Sequence, residues 1–235
     1  QNGSSPLGLI GEQAEALLKK CQTLARAHQV EMSPELAPCG RPLGMRIKGS
    51  DLYLADAYFG IFKVELQKGK ATWLTGPSQL PASFAGEDPV ASMAVQYYDD
   101  LDLSKDGSKL YFTDASYKHQ ATHTFLEILD GTPRGRVLEL DLKTLALKTV
   151  ACGLHFPNAV QVTADGKALL VGECTRMRIL KISLSEVTKG FGSSSSSSAL
   201  ASSRQFCGER ADVAPGLDVW AEGLPGQPDN IRLTP

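Results

Sequence analysis

Three side chains with oxygen donors recur in step along this chain of 235 residues: Asp99, Asn158 and Asp229, the last followed directly by Asn230. Asp99 and Asn158 each stand ahead of a short apolar run that ends in an Asp-Gly turn, at Asp106-Gly107 and Asp165-Gly166. Asp229 opens an equivalent run. Carboxylate and amide oxygens that converge are what a hard cation takes, since calcium binds about 6–8 oxygens. The same residue types before a strand also accept backbone N–H groups in Asx turns without any metal, so both readings stay open here. Three imidazoles are available as a base, His119, His123 and His155. The pair Tyr97-Tyr98 beside Asp99 is placed to line an apolar pocket, although core packing accounts for it equally well. A second acidic set, Asp56, Asp114 and Glu173, recurs once per segment, as a scaffold that binds turns would, rather than as one acid–base pair.

The elements that must position these groups form a repeat. First strands are expected at Met45–Ile47, Leu101–Leu103 and Val160–Val162, followed by turns at Gly49, Gly107 and Gly166. Second strands follow at Leu52–Asp56, Leu110–Asp114 and Leu169–Glu173, then third strands at Ile61–Leu66, Arg136–Leu142 and Met177–Leu184. A fourth strand closes each unit, at Ala71–Leu74, Lys148–Ala151 and Asp218–Ala221. Four short strands per unit with glycine-bounded turns describe a β-propeller blade. The fold class is therefore all-β: an incomplete propeller of about three blades plus one strand, the fourth unit opening at Pro228-Asp229-Asn230-Ile231-Arg232-Leu233. In a propeller the first strand of each blade lies nearest the axis, which would aim Asp99, Asn158 and Asp229 at one channel.

Residues 1–38 lie outside the repeat, and Glu12–His28 carries apolar residues at helical spacing. An N-terminal helical extension is expected there, with the partial propeller over 39–235. The tract Ser193–Ser198 reads as a surface loop within a blade. Ser116–Gly131, which holds His119 and His123, is an insertion between strands and a candidate channel-lid loop. A net charge of -2 gives no electrostatic reason to expect nucleic acid. No apolar run reaches the roughly 18–20 residues of a membrane span, so a soluble stretch is expected. The chain opens on Gln1, as a processed product or a fragment would. Five cysteines without metal-type spacing leave at least one thiol free or paired elsewhere, and Asn2-Gly3-Ser4 is a glycosylation sequon.

Several of these segments resemble the strictosidine-synthase-like family. They are Cys39-Gly40-Arg41-Pro42-Leu43-Gly44 with Ala55-Asp56-Ala57-Tyr58, Tyr111-Phe112-Thr113-Asp114-Ala115-Ser116 and Gly135-Arg136-Val137-Leu138. Phe156-Pro157-Asn158-Ala159-Val160, and Leu224-Pro225-Gly226 with Pro228 to Arg232, complete the set. Within that family the chain is most similar to the adipocyte plasma membrane-associated group. The resemblance implies a six-bladed propeller and a calcium-assisted hydrolase of ester substrates, arylesterase- or lactone-like. It also implies a glycosylated protein of the secretory pathway, membrane-associated or extracellular, held at a membrane only through a segment not present here. Asn158, Asp229 and Asn230 match calcium-binding positions of related sites, and Asp99 stands where asparagine is more usual. Leu43 occupies the corresponding place in the first unit and supplies no ligand. The base of the family's condensing enzymes has no counterpart in this chain. The alternatives are a non-catalytic cell-surface propeller and an amine–aldehyde condensing enzyme.

Overall fold

The computed structural model describes residues 12–26, 34–77, 79–81, 90, 92–185 and 217–233. Asn2 and Ser193–Ser198 lie outside the described residues. Among the described residues twelve strands form three four-stranded antiparallel sheets, each in simple chain order. Blade 1 comprises β1 (Pro42–Lys48), β2 (Asp51–Asp56), β3 (Gly60–Glu65) and β4 (Lys70–Thr75). Blade 2 comprises β5 (Tyr98–Leu103), β6 (Lys109–Asp114), β7 (Gly135–Asp141) and β8 (Leu147–Leu154). Blade 3 comprises β9 (Pro157–Val162), β10 (Ala168–Glu173), β11 (Arg178–Ser183) and β12 (Leu217–Ala221). The first strands β1, β5 and β9 face one another in sequence, which makes them the inner strands of a propeller.

Period-two alternation holds the blades together, because successive side chains of a strand serve opposite faces. On β6, Leu110 and Phe112 join Tyr53 and Ile61 of blade 1 in one core. Tyr111, on the other face, packs with Val160, Leu169 and Val171 of blade 3. Blade 2 is thus a shared wall between two apolar layers.

The helix α1 (Glu12–Arg26) forms where apolar spacing predicts it. Cys21 is disulfide-bonded to Cys39, at the end of a 3-10 turn over Pro34–Cys39, so the extension is tied to the start of blade 1. Cys152 is also disulfide-bonded, and Cys174 is a buried free thiol.

Two local expectations change. The insertion carries a 3-10 turn (Ala121–His123) and a helix, α2 (Thr124–Asp130), which ends on Gly131 in the left-handed conformation at φ 62. Its short sequence Thr-Phe-Leu-Glu-Ile-Leu-Asp gave too little periodicity to register as a helix. Residues 228–233 form no strand, for no second strand pairs with them among the described residues.

Candidate functional site

Every inner strand begins with a β-bulge. On β5 the register passes from Tyr98 opposite Asp114 to Leu101 opposite Phe112, so Asp99 and Asp100 together face Thr113. On β9, Pro157 lies opposite Glu173 and Ala159 opposite Gly172, leaving Asn158 as the extra residue. On β1 the irregularity falls between Pro42 and Met45, at Leu43 and Gly44. A bulge re-aims a side chain that regular pleating would send into the sheet. The in-phase recurrence read from sequence therefore has a backbone cause: Leu43, Asp99 and Asn158 are the bulge residues of successive blades.

The second acidic set fixes where those bulges start. Asp114 accepts hydrogen bonds from the backbone N–H groups of Gln96 and Tyr97, just before β5, and from Arg136. Glu173 accepts from the N–H of His155, just before β9, and from Arg178. Asp56 accepts from the N–H of Arg41, just before β1. Its partner across the ladder is Gly60 rather than an arginine, and the N–H groups of Tyr58 and Phe59 fill that place. These carboxylates are anchors of the inner strands, not a proton-transfer pair.

The bulges are tied to each other as well. Thr113 is fully buried on β6; its hydroxyl accepts from the N–H of Asp100 at 3.0 Å and donates to the carbonyl of Asn158 at 3.0 Å. Asp99 is buried, and no hydrogen bond to its carboxylate occurs among the described residues. Burial first, then the carboxylates of Asp100 and Asp229, push its pKa well above the usual aspartate range, with the Arg41 guanidinium pulling the other way. Asp229, exposed to solvent, lies within electrostatic reach of Asp99. Both also act on Cys174, whose thiol is pushed up to about 12, chiefly by burial, and donates to the carbonyl of Pro228. The side-chain oxygen Oδ1 of Asn158 is buried with no hydrogen-bond partner. Buried amide oxygens are ordinarily satisfied, by protein, ordered water or an ion, so this one is open to an ion or a water.

Asn230 turns toward its neighbours: its N–H and side-chain amide donate to Asp229 Oδ1, and its own oxygen accepts from Arg232. Tyr97 lies beside the cluster, packed edge-on against Phe156 within an apolar group that includes Ala121 and Cys174. Thr124 of α2 donates to the Tyr97 hydroxyl, so the insertion does sit at this end of the axis. Tyr98 points the other way, into the core between blades 1 and 2, stacked on Phe112. It does not line the site, because adjacent residues of a strand serve opposite faces.

His119 and His123 are not joined to the cluster by any hydrogen bond or ion pair among the described residues. His119 lies 3.9 Å from Glu127 of α2, and burial lowers its pKa. His123 contacts Thr122. His155 faces the carbonyl of Gly131. Among the described residues no three His, Cys, Asp or Glu side chains gather as a metal site. The cluster is a mixed set of carboxylates and amides, which suits a hard oxygen-seeking cation rather than zinc.

Sequence reading missed the layer beneath. Asp100, Asp102, Arg46, Gln161 and Arg232 meet on the axis one step below the cluster. The signal was present: Arg46, Asp102, Gln161 and Arg232 each stand four residues after the residue that opens its unit. At the far end lies an open cleft of about 420 Å³, flanked by Lys48 and Lys105.

Inner strands joined across blades, with an oxygen-rich cluster at one end of the axis, define a β-propeller with a candidate cation centre. The strictosidine synthase family model matches residues 99–187. The adipocyte plasma membrane-associated protein of Gallus gallus is 33% identical over 216 residues, 91% of this chain and 44% of that protein. The Homo sapiens protein of the same name is 34% identical over 195 residues, covering 83% and 39%. Protein STRICTOSIDINE SYNTHASE-LIKE 2 of Arabidopsis thaliana is 32% identical over 199 residues, covering 84% and 44%. The chain belongs to the strictosidine-synthase-like family, and it spans less than half the length of these relatives. Two solved structures are similar at a TM-score of 0.49. One, a nidogen/laminin complex, is 12% identical and aligns with 82% of this chain and 52% of its own. The other, a putative gluconolactonase, is 16% identical and aligns with 86% and 57%. No described helix is long and apolar enough to cross a membrane.

Proposed function

We propose that this chain carries the cation site of a calcium-assisted hydrolase acting on small ester substrates, of arylesterase or lactone type. The observation that carries the reading is the unpartnered Asn158 Oδ1 at the bulge of β9, next in the ring to the bulge of β5 that carries the buried Asp99, whose carboxylate accepts no hydrogen bond among the described residues. Asp99, Asn158 and Asp229 would hold the ion, with Asn230 supporting Asp229. Calcium bound there would polarise an ester carbonyl and stabilise the charge that develops on its oxygen. Tyr97 and Phe156 supply an aromatic wall beside the cluster, suited to an apolar acyl or aryl group.

The disulfide Cys21–Cys39 supports an oxidising compartment, hence the secretory pathway, and the names of the relatives support membrane association. The test is hydrolysis of phenyl acetate with calcium and after chelation. Activity lost on chelation and restored by calcium is expected. Equal rates in both conditions would overturn the reading.

A second reading has a specific observation behind it. Among the described residues His119 and His123 bond inside the insertion, to Glu127 and Thr122, and neither shares a hydrogen bond or ion pair with Asp99, Asn158 or Asp229. A non-catalytic propeller with a structural cation fits that fact. Calcium binding without esterase activity would favour it.

A further inference from the structure

Asp100 is the next residue after the candidate ligand Asp99, yet it is not free to bind an ion. Its Oδ1 accepts from Arg46 and Arg232, and its Oδ2 accepts from the N–H of Val160 and from Arg232. One carboxylate, with no solvent exposure of its side chain, therefore touches blade 1, blade 3 and the segment that follows blade 3. That segment, residues 228–233, has no strand partner and no backbone ladder among the described residues. Among the described residues its hydrogen bonds to the blades are the Cys174 thiol on the carbonyl of Pro228, at 2.9 Å, and the Arg232 fork on Asp100, at 3.1 and 3.4 Å, while Pro228 packs over Gly172. A thiol is a weak donor, whereas a two-pronged guanidinium–carboxylate contact fixes both distance and orientation.

We propose that Asp100 and Arg232 form a positioning clamp that holds residues 228–233 on the axis, so that Asp229 meets Asp99 and Asn158. The clamp rests on the cation reading above and deepens it. The layer is balanced in charge, with Arg46 and Arg232 against Asp100 and Asp102, so it fixes geometry without adding net field at the cluster. Gly44 belongs to the same device. A Cβ there would come within 2.6 Å of Asp100 Cα and Oδ1, so only glycine lets β1 approach closely enough for Arg46 to share the carboxylate.

The clamp makes a prediction whose sign separates it from simple electrostatics. Removing a cation near a calcium site strengthens calcium binding through Coulomb attraction alone. Loss of the clamp instead weakens it, because residues that orient metal ligands affect affinity by about 10- to 100-fold. Calcium titration calorimetry on the wild type, Arg232→Met and Lys48→Met reads this directly. Lys48 is a cation on the same inner layer of strands that donates to the carbonyls of Ser104 and Lys105 and does not touch Asp100. The clamp predicts about a tenfold or greater loss for Arg232→Met, unchanged or tighter binding for Lys48→Met, and faster amide exchange over 228–233 in calcium-free Arg232→Met. Equal or tighter binding by Arg232→Met, with the wild type binding normally, would overturn the clamp and leave the cation site standing. Absence of binding by the wild type would remove the site and the clamp together. Should Arg232→Met not fold, Arg232→Lys is read in the same way, since it keeps the charge and loses the fork.

Discussion

The buried pair Arg136–Asp114 offers a quantitative test of how the inner strands are held. Both side chains have no solvent exposure. Besides Asp114, the guanidinium donates to the carbonyls of Val90, Met93 and Ala94. Arg136→Met removes all of these donors and leaves the Asp114 carboxyl, already pushed up by burial, with only the N–H groups of Gln96 and Tyr97. Breaking a buried pair from one side costs about 3–5 kcal/mol. For a chain of this size that is a fall in Tm of roughly 6–20 °C. Adding Asp114→Leu would rescue a simple ion pair, because apolar replacement of both partners is often neutral. Here it leaves the Gln96 and Tyr97 N–H groups unpaired, at about 1–3 kcal/mol each, so the double variant is expected to recover little. Differential scanning calorimetry of the two variants decides the matter. A Tm for Arg136→Met within two or so degrees of wild type, or full recovery in the double variant, would refute the anchoring role.

Three further outcomes are expected. Gly44→Ala forces a backbone shift at the β1–β5 contact, so thermal melting should show a loss of about 1–3 kcal/mol together with weaker calcium binding. Thr113→Val leaves the Asp100 N–H and the Asn158 carbonyl without their shared partner, and should cost about 1–3 kcal/mol by urea denaturation at unchanged side-chain volume. Asp106 is held down to about 2 from 3.8 by Ser104 and Ser108, so its stabilising contribution is complete above pH 3.8 and is lost as pH falls toward about 2. The difference in urea midpoint between wild type and Asp106→Asn should therefore be full at pH 6 and close in strong acid; a pH-independent difference would contradict it.

Much of the blade architecture could be read from the residues because it is periodic. Alternation on Leu110-Tyr111-Phe112 and the turns at Gly49, Gly107 and Gly166 are local signals, and the strands form within a few residues of their expected places. The phase of Asp99 and Asn158 was equally visible, although its cause, the bulge, depends on cross-strand register that a single strand does not encode. Tyr98 shows the limit: beside Asp99 it looked like a pocket residue, and only the blade 1 core explains why it faces away. The imidazoles of the insertion bond within it for the converse reason. A buried Glu127, two turns of chain away and bonded to Ser116, organises that loop from inside. Arg232 and Asp100 are 132 residues apart, and no local pattern joins them.

The most direct measurement is anomalous diffraction from crystals grown with calcium or soaked in terbium. A single ion is expected on the axis, about 2.3–2.6 Å from Asn158 Oδ1 and from carboxylate oxygens of Asp99 and Asp229. Crystals at saturating metal with no anomalous peak at these residues, and a water or protein donor on Asn158 Oδ1 instead, would contradict the account.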